Sequence, residues 1–247
     1  MRYKEFGTDK KDTVILLHGG GLSWWNYRDA ADILKEHCHV VIPLLDGHAG
    51  SDRSFTSIED NAAELIEMID REFGGRVKLI GGLSLGGQIL LETLSQRNDI
   101  CHIAMVESAA VIPSEFMAAM LKPSINSSYG LIKKLWFAKA QFRSLKIKDD
   151  LFEDYYRDTC LIKKDDMIAL LTANQRYSLK ESISDTTAKV YVFSGSREIG
   201  QIKRSAELIH RNVPDSELVI LDGMYHGQFS INHGKEYAER IIKALER

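Results

Sequence analysis

Short apolar runs alternate with longer amphipathic stretches along most of the chain. Thr13 to Leu17 is one such run, closed by His18-Gly19-Gly20-Gly21. Val40-Val41-Ile42 stops at Pro43, and Val77 to Ile80 runs into Gly81-Gly82. Ile100 to Val106, Val190 to Phe193 and Leu218 to Leu221 complete the set. Runs of this length fit strands buried on both faces, and the stretches between them have helical periodicity. Helices are predicted over 27–36, from Ser57, after Ser84 to about Gln96, over 201–211 and over 237–245. Ser57 has the position of an N-cap, with Asp60 three residues on and an apolar stripe of Ile58, Ala62, Leu65, Ile66 and Ile69 behind it. Strand alternating with helix predicts βαβ units, hence an α/β fold with a mostly parallel sheet and helices on both faces.

The alternation breaks at Pro113 and resumes after Ser184. Between them only helical periodicity is present, so 113–184 is expected to be a helical cap inserted into a core made of 1–112 and 185–247.

At 247 residues the chain can bury the core of one large domain. Its 44% hydrophobic and 27% charged content is ordinary for a globular protein. A net charge of −3 gives no electrostatic case for nucleic acid or an anionic membrane. Three widely spaced cysteines, Cys38, Cys101 and Cys160, suggest buried thiols rather than a disulfide framework or a metal site. The first residues carry no apolar signal region and no run of 18 apolar residues occurs, which makes the expected location cytoplasmic.

The chemistry centres on Gly82-Leu83-Ser84-Leu85-Gly86, a G-x-S-x-G run between a strand pattern and a helix pattern. Lifting a hydroxyl out of a strand-to-helix turn bends the backbone so sharply that side chains two positions before and after the serine collide. Glycine removes both. A serine needs a base, and the base an orienting acid. His226 lies just beyond the last strand pattern, and Glu198 in the loop after the strand before it. Glu107, at the end of the strand after the elbow helix, competes with Glu198 for the orienting role.

These motifs resemble the α/β-hydrolase fold superfamily, in its compact capped, esterase-like form. The resemblance rests on His18-Gly19-Gly20-Gly21, on Asp46-Gly47-His48-Ala49-Gly50-Ser51-Asp52, on the elbow, and on the loops ending at Glu198 and His226. It implies Ser84, His226 and Glu198 as the catalytic triad, and the backbone N–H groups of Gly20 and Leu85 as the oxyanion hole, with Gly21 able to share that role. It departs from the family pattern at Glu198, where aspartate is usual, and at Ala49, where glycine is usual. His18 and His48 are read as loop-steadying residues. Gly21, Trp24, Met117 and Trp136 are the candidates for the substrate pocket, with core packing the competing role for the large side chains.

The implied function is hydrolysis of an ester or similar acyl compound of modest size. Its partner is a small-molecule substrate, without metal or organic cofactor, nucleic acid or membrane. The same triad serves carbon–carbon bond hydrolases and a menaquinone-pathway eliminase, whose acidic substrates Arg53, Arg143 and Arg176 could bind. A small-molecule sensor on the same fold is the reading from another class.

Overall fold

The structure is a computed structural model describing residues 1–246. Among the described residues seven strands form one sheet: β1 Tyr3–Phe6, β2 Thr13–Leu17, β3 His39–Pro43, β4 Val77–Leu83, β5 Cys101–Glu107, β6 Lys189–Gly195 and β7 Ser216–Leu221. Their order is β1-β3-β2-β4-β5-β6-β7, with β1 antiparallel to β3 and every other pairing parallel. The helices are α1 Arg28–Leu34, α2 Ile58–Glu72, α3 Leu85–Gln96, α4 Glu115–Ile132, α5 Leu135–Leu145, α6 Phe152–Thr159, α7 Lys164–Arg176, α8 Gly200–Asn212, α9 Gln228–Asn232 and α10 Gly234–Leu245.

The continuous apolar runs have a direct cause. Successive strand residues face opposite sides, and both sides are covered. Ile15 and Leu17 of β2 pack with Leu65 of α2 and Ile89 of α3. Val14 and Leu16 pack with Leu34 of α1 and Ile241 of α10 on the other face. A strand between two helical layers needs apolar residues at every position rather than alternate ones. Ser57 caps α2 as its sequence indicates, its hydroxyl accepting from the Asp60 N–H at 3.0 Å, an interaction worth about 1 kcal/mol.

Two elements are additions to the sequence reading. β1 is an edge strand whose middle residues, Lys4 and Glu5, are exposed, so it carries no apolar run. α9 has five residues, too few to show a period. Between β5 and β6 the described residues form α4 to α7 and no strand. Cys38 and Cys101 are buried thiols, and Cys160 is half-buried. Among the described residues no helix is long and apolar enough to cross a membrane.

Candidate active site

The parallel strands deliver their following loops to one edge, the carboxyl edge of the sheet. β4 runs into Ser84, β2 into His18, β6 into the loop holding Glu198, and β7 into the loop holding His226. Ser84 sits at φ 52°, ψ −111°, a backbone region that non-glycine residues enter only under constraint. The constraint is the elbow. A Cβ on Gly82 would overlap the Gly86 carbonyl, and one on Gly86 would overlap the Leu17 carbonyl. The Ser84 N–H donates to the Glu107 carbonyl at 2.8 Å, and the Ser84 carbonyl accepts from Gln88 N–H at 3.0 Å, so the turn passes directly into α3.

The glycine loop after β2 is clamped from both sides. Gly19 N–H donates to Asn26 Oδ1 at 3.2 Å, and Gly21 N–H donates to His48 Nε2 at 2.9 Å. This corrects one expectation: with its N–H engaged, Gly21 is not a free oxyanion donor, although it lines the cavity. Gly20 lies between the two clamped residues and against Leu85, since a Cβ placed on Gly20 would stand 3.5 Å from Leu85 Cβ. Among the described residues neither the Gly20 nor the Leu85 N–H donates to a protein acceptor.

Both loop histidines are structural. His48 Nδ1 donates to the Asp46 carbonyl at 2.9 Å, which leaves Nε2 as the acceptor for Gly21. His18 Nδ1 lies 3.0 Å from the Gly19 carbonyl, and its Nε2 accepts from Leu45 N–H at 3.2 Å. Burial, with His48 alongside, pushes the His18 pKa down to about 3, so the ring stays neutral.

His226 Nδ1 meets Glu198 Oε2 at 2.9 Å. The Glu198 side chain is fully enclosed, whereas that of His226 is 48% exposed. The other carboxylate oxygen accepts from the Ser108 hydroxyl at 2.6 Å and from Gly195 N–H at 3.1 Å. Burial works to raise the Glu198 pKa, but His226, Ser108 and Gly195 together outweigh it and hold the carboxyl below its ordinary range. Glu107 does other work. Its carboxylate accepts from Phe229 N–H at 3.1 Å and from Ser230 N–H at 3.2 Å, anchoring α9. Burial raises its pKa to about 7. It is therefore not the imidazole's hydrogen-bond partner.

Ser84, Glu198 and His226 line one cavity of about 690 Å³, together with Gly20 and with Ile132, Tyr155, Met167 and Leu170 from the segment between β5 and β6. The Ser84 hydroxyl makes no hydrogen bond within the protein among the described residues. Three expected pocket residues lie elsewhere. Trp24 packs against Phe6, with ring centroids 6.1 Å apart. Met117 is half-exposed, and Trp136 is 65% exposed with its edge on Phe137. α4 buries Ala118, Ile125 and Ile132 instead, and α5 buries Ala138 and Phe142, so their apolar positions occupy two faces and only one turns inward. Arg53 pairs with Asp46 and Glu64, Arg176 pairs with Glu115, and neither these nor Arg143 line the cavity. The cations that do are Lys146 and Arg197, beside Tyr225. Sequence reasoning missed them and Ser108. The signal for two was adjacency, because Arg197 precedes Glu198 and Tyr225 precedes His226. Among the described residues no group of three His, Cys, Asp or Glu side chains is placed to hold a metal ion.

The architecture is shared with many solved structures. A hydrolase from Pseudomonas aeruginosa PA01 superimposes with a TM-score of 0.83 at 15% identity, covering 99% of this chain and 94% of that one. An esterase from Exiguobacterium antarcticum gives 0.83 at 16% identity, covering 99% and 95%. An enol-lactonase from Burkholderia xenovorans LB400 gives 0.82 at 14% identity, covering 100% and 96%. Identities this low establish the fold alone. The sequence profile of the alpha/beta hydrolase family matches residues 14–240, and with the elbow and parallel sheet in place the chain belongs to that family.

Proposed function

We propose that this protein is a serine hydrolase that cleaves an ester or similar acyl compound of modest size through Ser84, His226 and Glu198. The observation that carries the reading is the 2.9 Å contact between His226 Nδ1 and buried Glu198, in the cavity that also holds the elbow serine. With Nδ1–H committed to Glu198, the imidazole has Nε2 available as a base.

Ser84 Oγ attacks the substrate carbonyl while His226 Nε2 takes its proton. The carbonyl oxygen becomes an oxyanion and accepts from the N–H groups of Gly20 and Leu85. The family resemblance implies this pair, and it is supported by both N–H groups lacking a protein acceptor among the described residues, whereas Gly19 and Gly21 have spent theirs on Asn26 and His48. Donors held in place in this way stabilise the transition state by about 3 kcal/mol each. The intermediate collapses, His226 returns the proton to the leaving group, and an acyl group remains on Ser84. Water, deprotonated by His226, repeats the sequence and frees the acid. Glu198 fixes the tautomer and balances the imidazolium charge.

The segment 113–184 serves as the cap. Trp25 Nε1 donates to Asp158 of α6 at 2.9 Å, and Gln88 of α3 exchanges hydrogen bonds with Asn174 of α7, tying it to the core on two sides. Its apolar lining and a cavity within the ordinary range of about 300–1,000 Å³ suit a modest acyl group. A screen of p-nitrophenyl esters by chain length tests the reading, with Ser84→Ala as control. Turnover that peaks at short or medium chains and disappears in Ser84→Ala is the expected result. Turnover persisting in a folded Ser84→Ala protein rejects it.

A further inference from the structure

Beside the triad, at the cavity wall, two cations converge on one aromatic ring. Lys146 Nζ lies 3.3 Å from the Tyr225 ring centroid, and the Arg197 guanidinium carbon lies 5.6 Å from it. Among the described residues neither cation has a carboxylate partner. Lys148, two residues on from Lys146, pairs with Asp29. In a chain of net charge −3, an unneutralised pair of cations against the catalytic loops is a local reversal of sign.

The fold holds the backbone from which these three side chains project. Lys146 sits at φ 57°, a left-handed conformation uncommon for a residue with a Cβ. Its carbonyl accepts from the Gln228 side-chain amide at 2.6 Å and from Asn232 Nδ2 at 3.1 Å. The carbonyl of the same Gln228 amide accepts from Tyr225 N–H at 2.9 Å. One glutamine therefore sets Lys146 and Tyr225 against each other. Arg197 N–H donates to the Met224 carbonyl at 3.0 Å, joining the third member to the same loop. Contacts with Lys146 and then Arg197 hold the Tyr225 phenol below its usual pKa, the response expected in a positive local field.

We propose that Lys146, Arg197 and Tyr225 form an anion subsite that takes a carboxylate or phosphate carried by the substrate. It rests on the reading of this cavity as an acyl-transfer site and narrows the substrate class to anionic esters. Two side-chain cations and a phenol supply converging donors for oxygen, and the rim position lets the anion keep part of its hydration.

Binding to the Ser84→Ala protein, measured by calorimetry, separates this proposal from turnover. Three anionic probes are each compared with a neutral ester of the same skeleton. Mono-methyl glutarate against dimethyl glutarate puts a carboxylate on the acyl side. Acetoxyacetate against methyl acetoxyacetate puts it on the alcohol side. 2-Acetoxyethyl phosphate against 2-acetoxyethanol tests phosphate. The anionic member of at least one pair should bind about tenfold more tightly, with the preference shrinking in 0.5 M salt because rim charges are screened. Lys146→Gln combined with Arg197→Gln should erase that preference, and Lys146→Arg should keep most of it. Equal affinities within all three pairs, or a preference that survives the double substitution, overturns the subsite. If wild-type protein hydrolyses none of the six esters, anionic or neutral, the hydrolase reading fails, and the binding comparison still decides the subsite.

Discussion

The Ser108 hydroxyl donates to Glu198 Oε1 at 2.6 Å, from the first residue after β5, the neighbour of the strand that leads into the glutamate loop. Ser108 is itself at φ 57° and its N–H donates to the Phe193 carbonyl at 3.0 Å, so the donor is fixed in place. With one carboxylate oxygen pinned by Ser108 and Gly195, the other faces His226. In the proposed mechanism Ser108 is a positioning residue for a glutamate whose extra methylene gives it more freedom than an aspartate. Ser108→Ala should lower kcat about tenfold with little change in KM, in keeping with a hydrogen bond to a charged group worth about 1.5–3 kcal/mol. An unchanged kcat with a raised KM would place Ser108 in substrate binding instead.

Glu198→Gln and Glu107→Gln separate the two carboxylates. The first substitution disturbs the imidazole tautomer and removes the charge that balances the imidazolium, and a loss of about 10³–10⁴ in kcat is expected. The second leaves the His226 contact intact and should keep kcat within about threefold. Steady-state kinetics of both variants on one ester checks this. The reverse ranking would move the orienting acid to β5.

Glu107 should leave a signature in stability against pH. Burial lifts its pKa to about 7, well above the ordinary carboxylate value it recovers on unfolding. The native state therefore holds the proton longer than the unfolded chain does. Stability from this group falls as pH rises through that interval and the loss is complete above about pH 7. Glu107→Gln keeps an acceptor for the Phe229 and Ser230 N–H groups without the charge. The melting temperature of the variant minus that of wild type should climb between pH 5 and pH 8. A constant difference would mean that Glu107 titrates normally.

His48 tests the clamp on the glycine loop. His48→Ala leaves the Gly21 N–H without its acceptor, at a cost of about 1–3 kcal/mol, and lets the Gly20 N–H drift from its position. Urea denaturation should show the loss of stability, and kcat should fall with it. His48→Gln, which can still accept from Gly21, should recover part of both. Burial also lowers the pKa of His48 and of His18, so both contribute stability that falls as pH drops below about 6.5, where the unfolded chain takes up the protons first.

How much was legible in the sequence depends on what wrote the signal. The parallel strands announced themselves because burial on both faces demands apolar residues throughout, as in Thr13–Leu17. Ser57 announced α2 because a cap is a local interaction. Ser84 was legible because the elbow's sterics dictate glycine at 82 and 86. Edge strand β1 was silent, since a half-exposed strand with Lys4 and Glu5 outward lacks the pattern. Choosing between Glu198 and Glu107 needed the pairing of β5 with β6 and the position of α9, which are tertiary facts. Met117 and Trp136 misled because helical spacing gives a stripe without saying which side faces a cavity. Lys146 sat among other lysines, and the clasp by Gln228 and Asn232 that sets it apart is a tertiary fact.

Covalent labelling of Ser84 tests the central claim most directly. A fluorophosphonate probe is incubated with the folded protein and the modified residue is mapped by peptide mass spectrometry. A single adduct on Ser84 is the predicted outcome, absent in Ser84→Ala and much slower in Glu198→Gln. An unlabelled native protein, or an adduct that persists on another residue when Ser84 is replaced, would contradict the account.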